Sequence, residues 1–327
     1  MTRTPIYSID LAKFIGAVYI VALHCRLFYN LGSADYYLTC FCRIAVPFFF
    51  IASSYFFFKG QKSIWEYVKR LLILYLCWFI IELPITIQRF FIDSDEGLYK
   101  NIFLFLRGLF INSTFFASWF ITALWQGMLI VWWLSKKVSN KVLALIGSIC
   151  FLIACVWSMY REVFIPTPIW PAFKLFGVLL APSNSFIIAI PYCILGKYFA
   201  DNPEVSIKRP PIVLIFLALI AALEVYLCRN IGYMSDSYLS LILLCPCVFI
   251  SVLHWNVKIS PESSKYMRHC SILIYILHLP IRYLLIRYLS LPDYGAITFL
   301  IVLSCSALSA MIIVWLSQKY PILRFLY

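Results

Sequence analysis

Long apolar runs alternate with short polar stretches along the whole chain. A helix needs about 20 mostly apolar residues to cross a bilayer, and roughly ten segments meet or approach that length. They cover residues 9–29, 38–58, 68–90, 118–135, 142–160, 186–199, 212–229, 237–255, 270–288 and 296–316. The sixth is the shortest. Residues 102–111 are apolar but too short to span, and read as an interfacial or re-entrant helix, packed against protein if it lies at depth. The pattern predicts an all-α, polytopic membrane protein of about ten transmembrane helices. It leaves no soluble domain or linker, so residues 1–327 read as a single transmembrane domain. No internal repeat of the kind that builds many transporters is evident.

Composition strengthens this reading. Hydrophobic residues make up 63% of the chain and charged residues 13%, against roughly a quarter charged in soluble proteins. Such a chain has too little polar surface to cover itself in water. The net charge of +13 does not indicate a nucleic-acid partner, because the basic residues sit in short loops between apolar runs. One set of loops carries Lys59, Lys62, Lys69 and Arg70; Lys136, Lys137 and Lys141; Lys208 and Arg209; and Lys258, Lys265 and Arg268. The alternate set is poorer in Lys and Arg, and residues 31–37 have none. The positive-inside rule puts the basic set in the cytoplasm and both termini with it, and Arg3, Lys319 and Arg324 agree. Most cysteines lie inside apolar runs, with no C-x-x-C pair, and read as packing residues rather than a metal site. No small-residue cleavage site follows the first apolar run, which reads as a retained helix.

Ionisable residues at membrane depth are costly and therefore functional candidates. The first helix carries Asp10, Lys13 and His24, with Arg26 near its end. Asp10 and Lys13 can pair on one face. Lys13 and His24 are eleven residues apart, about three turns, which puts them on one side and roughly 16 Å apart. The second helix carries Arg43 at a similar depth to His24, with Pro47 placed to kink the helix and free a carbonyl. The ninth carries Ser271, Tyr275 and His278 at i, i+4 and i+7, on one face, with His278 expected near mid-membrane and Arg282 a turn later. Glu82 and Glu224 also lie in apolar runs, as partners for the arginines. Structural alternatives stand beside each reading. Lys13 can snorkel, His24 can pack, Arg43 can hold a lipid phosphate, and the ninth-helix stripe can hydrogen-bond between helices.

Together these residues resemble membrane-bound acyltransferase family 3. Lys13 to His24 fits the family's basic residue, ten residues, then histidine. Arg43, Pro47, Phe48 and Phe49, followed by Ser53-Ser54-Tyr55-Phe56, look like its second-helix signature. Ser118-Trp119-Phe120 is similar to its Leu-Trp-Tyr or Leu-Trp-Phe element, and Ser271, Tyr275 and His278 match a Ser-x-x-x-Tyr-x-x-His near the C-terminus. Two positions depart: Ser54 stands where glycine is usual, and Ile73 where the family often has the second arginine of an Arg-x-x-Arg pair that begins here at Arg70.

The resemblance implies transfer of an acyl group, acetyl above all, from a coenzyme A thioester to a hydroxyl of a cell-surface carbohydrate or related acceptor. That places the protein in a bacterial inner membrane, among membrane lipids, with no tightly bound cofactor and no metal. His24, Arg43 and Lys13 form the expected catalytic set. His24 is the base, Arg43 stabilises the oxyanion or orients the acceptor, and Lys13 works at the donor phosphates with Lys69 and Arg70, the donor-binding pair. Asp10, Trp119, Ser271, Tyr275 and His278 support them. Two other classes fit the buried charges: a transporter or flippase for a glycan or lipid-linked sugar, and a catalytically idle relative, which the missing second arginine favours.

Overall fold

A computed structural model describes residues 6–61, 63–229 and 237–327. Arg3 and Lys62, two of the residues that orient the chain, lie outside the described residues. The described residues form helices and no strand, in chain order α1 (Tyr7–His24), α2 (Ser33–Cys42), α3 (Ala45–Lys59), α4 (Ile64–Ile87), α5 (Leu98–Phe110), α6 (Ser118–Leu134), α7 (Asn140–Trp157), α8 (Arg161–Phe164), α9 (Trp170–Leu180), α10 (Phe186–Asp201), α11 (Pro210–Cys228), α12 (Leu241–Leu253), α13 (Pro261–Leu289) and α14 (Ala296–Lys319). Among the described residues, seven spans are long and apolar enough to cross a membrane, with α2 and α3 counted as one. The bent pair α9 and α10, meeting at 44°, makes an eighth if read as one span. The expected ten is not reached on this measure because α6 has 17 residues and α12 has 13. At about 1.5 Å per residue these fall short of a hydrocarbon core of roughly 30 Å.

Several boundaries differ from the apolar pattern, each for a local reason. α1 stops at His24 rather than continuing to residue 29, because Arg26 turns into the left-handed region at φ 44°. α13 begins at Pro261, nine residues before its apolar run. Its start signal is polar: the Ser260 side chain accepts the Ser263 amide at 3.1 Å, and Pro261 fits the first helical turn. The stretch 161–185, which falls between the fifth and sixth apolar runs, contains α8 and α9; Pro171 opens α9 instead of breaking it. The short apolar stretch near 102–111 is α5, whose apolar side chains, including Leu98, Tyr99, Ile102 and Phe110, are exposed. That suits a helix lying along an interface. Arg107 ties it to α9 by donating to the Val178 carbonyl at 2.7 Å.

Close packing at the centre depends on small residues. α3 and α10 cross at Gly196, where an added Cβ would stand 2.4 Å from the Ile51 carbonyl oxygen. At the same crossing Ser54 donates to the Cys193 carbonyl at 2.6 Å. The hydroxyl that departs from the family's usual glycine is thus satisfied across the helix pair. α1 packs between α3 and α13, and α13 packs on α14.

Candidate active site

α1 and α13 lie side by side and point the same way. At one end Asp10, fully buried, accepts hydrogen bonds from Ser264 Oγ at 2.7 Å and from Arg268 at 3.4 Å. At the other end the His24 and His278 rings meet, with centroids 5.1 Å apart and planes tilted by 37°. Both Asp10 to Ser264 and His24 to His278 span 254 positions, so the two helices keep one register over fourteen residues. That length corresponds to about 21 Å of helix. The expectation of His278 at mid-membrane, below His24, is therefore replaced: the two imidazoles sit at one level. The cause is the early start of α13, which lengthens the helix beneath His278.

The tautomer of His278 follows from its surroundings. Its Nδ1 lies 2.6 Å from the Tyr275 carbonyl oxygen and 3.3 Å from that of Ile274. A carbonyl only accepts, so Nδ1 carries the proton, and in the neutral ring Nε2 keeps its lone pair. That Nε2 is buried and has no hydrogen-bond partner among the described residues. His24, the last residue of α1, is half-buried, and its ring touches His278. The charges that bear on His24 through space belong to Arg43 and Arg282. Arg282 also bears on His278. Arg282 donates to the Asp293 carbonyl at 2.7 Å and stacks on Tyr294, its guanidinium 5.3 Å from the ring centre. The turn after α13 is pinned over the end of α1 by the Gly295 amide, 2.9 Å from the Cys25 carbonyl. Gly295 has φ 112°, which other residues rarely adopt.

Arg43 stands in the break between α2 and α3. Pro47 causes that break: it has no N–H for the Arg43 carbonyl four residues back, and its ring crowds that carbonyl. Arg43, Pro47, Phe50, Trp119 and Ser183 line a cavity of about 20 Å³, room for about one water. The rest of the ninth-helix stripe turns elsewhere. Tyr275 donates to the Ala117 carbonyl at 3.0 Å and so holds the start of α6. Ser271 bonds within its own helix, to the Arg268 carbonyl at 2.8 Å. Neither glutamate meets the histidines. Glu82 accepts the Phe116 amide at 3.2 Å, with Arg89 as the cation acting on it. Glu224 accepts from Tyr160 and from the Leu239 and Ser240 amides.

The Asp10 end is basic. Lys13 lies over the Phe56 ring at 5.5 Å, which sets the C-terminal end of α3 beside the start of α1. Lys69 and Arg70 are exposed near the start of α4. Three cations, Arg268, Lys265 and Arg70, act on His269. The Tyr327 ring packs on His269 at 4.5 Å. Loop charge alone counts Lys265 and Arg268 without placing them at a site, and passes over His269. The helical spacing of Lys265, Arg268 and His269 is the signal in the sequence that groups them.

Two proteins of Enterococcus faecalis, each named amino-acid racemase, are 26% identical over 62% of this chain and 29% of their own, and 23% identical over 95% of this chain and 46% of their own. A serine/alanine racemase of Enterococcus gallinarum is 24% identical over 97% of this chain and 47% of its own. The chain thus spans less than half the length of these relatives. No solved structure matches it significantly. The family described as an acyltransferase domain matches residues 6–317, and the chain belongs to that family, acyltransferase family 3.

Proposed function

We propose that this membrane protein transfers an acyl group, acetyl foremost, from a coenzyme A thioester to a hydroxyl of a cell-surface carbohydrate. The observation that carries the reading is the His24–His278 contact, on which the charges of Arg43 and Arg282 bear, at one end of a helix pair whose other end is basic. Acyl transfer needs a base for the attacking hydroxyl and positive charge for the oxyanion. His24 takes the acceptor's proton as its oxygen attacks the thioester carbonyl. Arg43 and Arg282 face the oxyanion of the tetrahedral intermediate. The intermediate then expels the coenzyme A thiolate, which takes the proton back from His24. His278, with Nδ1–H tied to backbone, keeps an acceptor nitrogen beside His24 and holds that ring in place. At the basic end Lys13, Lys69, Arg70, Lys265 and Arg268 attract the donor's phosphates. With those basic loops in the cytoplasm, the donor enters from inside and the acceptor meets His24 toward the far side.

The test is release of free coenzyme A from acetyl-coenzyme A by purified protein given a hydroxyl acceptor, for wild type and for His24→Ala and Arg43→Ala. Both variants lose the reaction if the reading holds. Wild-type rates in both, with the proteins still monodisperse, overturn it. The relatives are named as amino-acid and serine/alanine racemases, which motivates a second acceptor class, the hydroxyl of an amino acid. Serine and a hexose offered side by side separate the two.

A further inference from the structure

A second cavity, of about 360 Å³, opens at the basic end of the bundle, away from the histidines. It lies between the C-terminal ends of α3, α6 and α10, and Phe58, Trp132, Gln61, Ser135, Lys136 and Lys197 line it. Lys136 extends over the Trp132 ring at 3.7 Å and has no carboxylate partner among the described residues. Lys197 lies 5.5 Å from the Phe58 ring centre and shares its charge with Asp201. A snorkelling lysine faces water singly. Here a lysine just past the end of α6 and one on α10 line one hollow that also holds an amide, a hydroxyl and aromatic rings. Cations over an aromatic floor at the end of apolar helices match the depth and polarity of a lipid headgroup.

The geometry points to a binding site for the phosphate of an anionic phospholipid at this hollow, with Lys136 and Lys197 as its cations and Trp132 and Phe58 against the glycerol and upper acyl chain. The site is separate from the histidine pair and does not depend on the acyl-transfer reading. Coenzyme A also carries phosphates, so the experiment must distinguish the two sources.

Native mass spectrometry of the purified protein in micelles holding equal phosphatidylglycerol and phosphatidylcholine supplies the readout. Wild type retains phosphatidylglycerol over phosphatidylcholine by about tenfold, and the Lys136→Gln/Lys197→Gln variant falls to near parity. Added coenzyme A leaves the phosphatidylglycerol adducts in place. Equal retention of the two lipids by wild type overturns the proposal, and so does an unchanged ratio in the variant. Displacement of the adducts by coenzyme A also overturns it, because the hollow then serves a soluble phosphate. If the double variant does not fold, Lys136→Gln alone serves, with a partial loss of preference expected.

Discussion

The His24 imidazole lies against that of His278, with 5.1 Å between ring centres, although the two residues belong to helices at opposite ends of the chain. His278 has its Nδ1–H committed to the Tyr275 carbonyl, so its ring is held in one orientation against His24 before any substrate arrives. A base gains from such preorganisation because the group holding it does not reorganise during the reaction. With His24 as the proposed base, His24→Ala should lower acyl transfer by about 10²–10⁴-fold, the usual range for loss of a general base. His278→Gln should lower kcat with little change in KM for the acyl donor, as fits a positioning residue. The check is steady-state kinetics of coenzyme A release by monodisperse protein.

The Asp10 anchor should matter for stability before it matters for rate. It is fully buried and accepts from Ser264 and Arg268. Hydrogen bonds to charged groups contribute roughly 1.5–3 kcal/mol each. Asp10→Ala should therefore lower the thermal midpoint clearly, and Ser264→Ala less. Thermal unfolding in detergent, followed by tryptophan fluorescence, measures both.

The cations around His269 predict a different kinetic signature. If Arg70, Lys265 and Arg268 attract the donor's phosphates, Arg70→Gln and Lys265→Gln should raise KM for acetyl-coenzyme A and leave kcat nearly unchanged. That pattern marks lost ground-state binding. The defect should deepen with added salt, since exposed charges are screened. Titrating acetyl-coenzyme A at two ionic strengths tests it.

The α3–α10 crossing predicts an asymmetry between two small residues. Gly196→Ala forces a Cβ to within 2.4 Å of the Ile51 carbonyl oxygen, so the helices must separate. Overpacking of this kind costs about 1–3 kcal/mol or more. Ser54→Gly loses the bond to Cys193 but introduces no clash, and should cost about 1–2 kcal/mol from the lost bond and the flexible backbone. Thermal midpoints of the two variants rank them.

The membrane class is plain in the sequence, because so many long apolar runs need a bilayer to cover them. His24, Arg43 and His278 also stand out there, because charge and imidazole are rare in such runs. Depth is harder to read. Hydropathy places His278 too low, since the start of α13 at Ser260 and Pro261 is written in capping chemistry and not in apolar length. Arg282 is visible one turn after His278, but nothing local assigns it to His24; the Tyr294–Gly295 turn that joins the end of α13 to the end of α1 depends on contacts across nearly the whole chain. α9 is hidden because the prolines within 161–185 suggest a loop, while Pro171 begins a helix.

The fixed offset between α1 and α13 works as a ruler with a stop at each end. With Asp10 clamped, the angular position of His24 is set solely by how many residues separate them. One inserted residue would swing the imidazole about 100° around its axis, away from its partner, while leaving hydropathy, charge and every motif residue intact. Distance along the chain is thus as much a determinant of this site as the identity of the side chains.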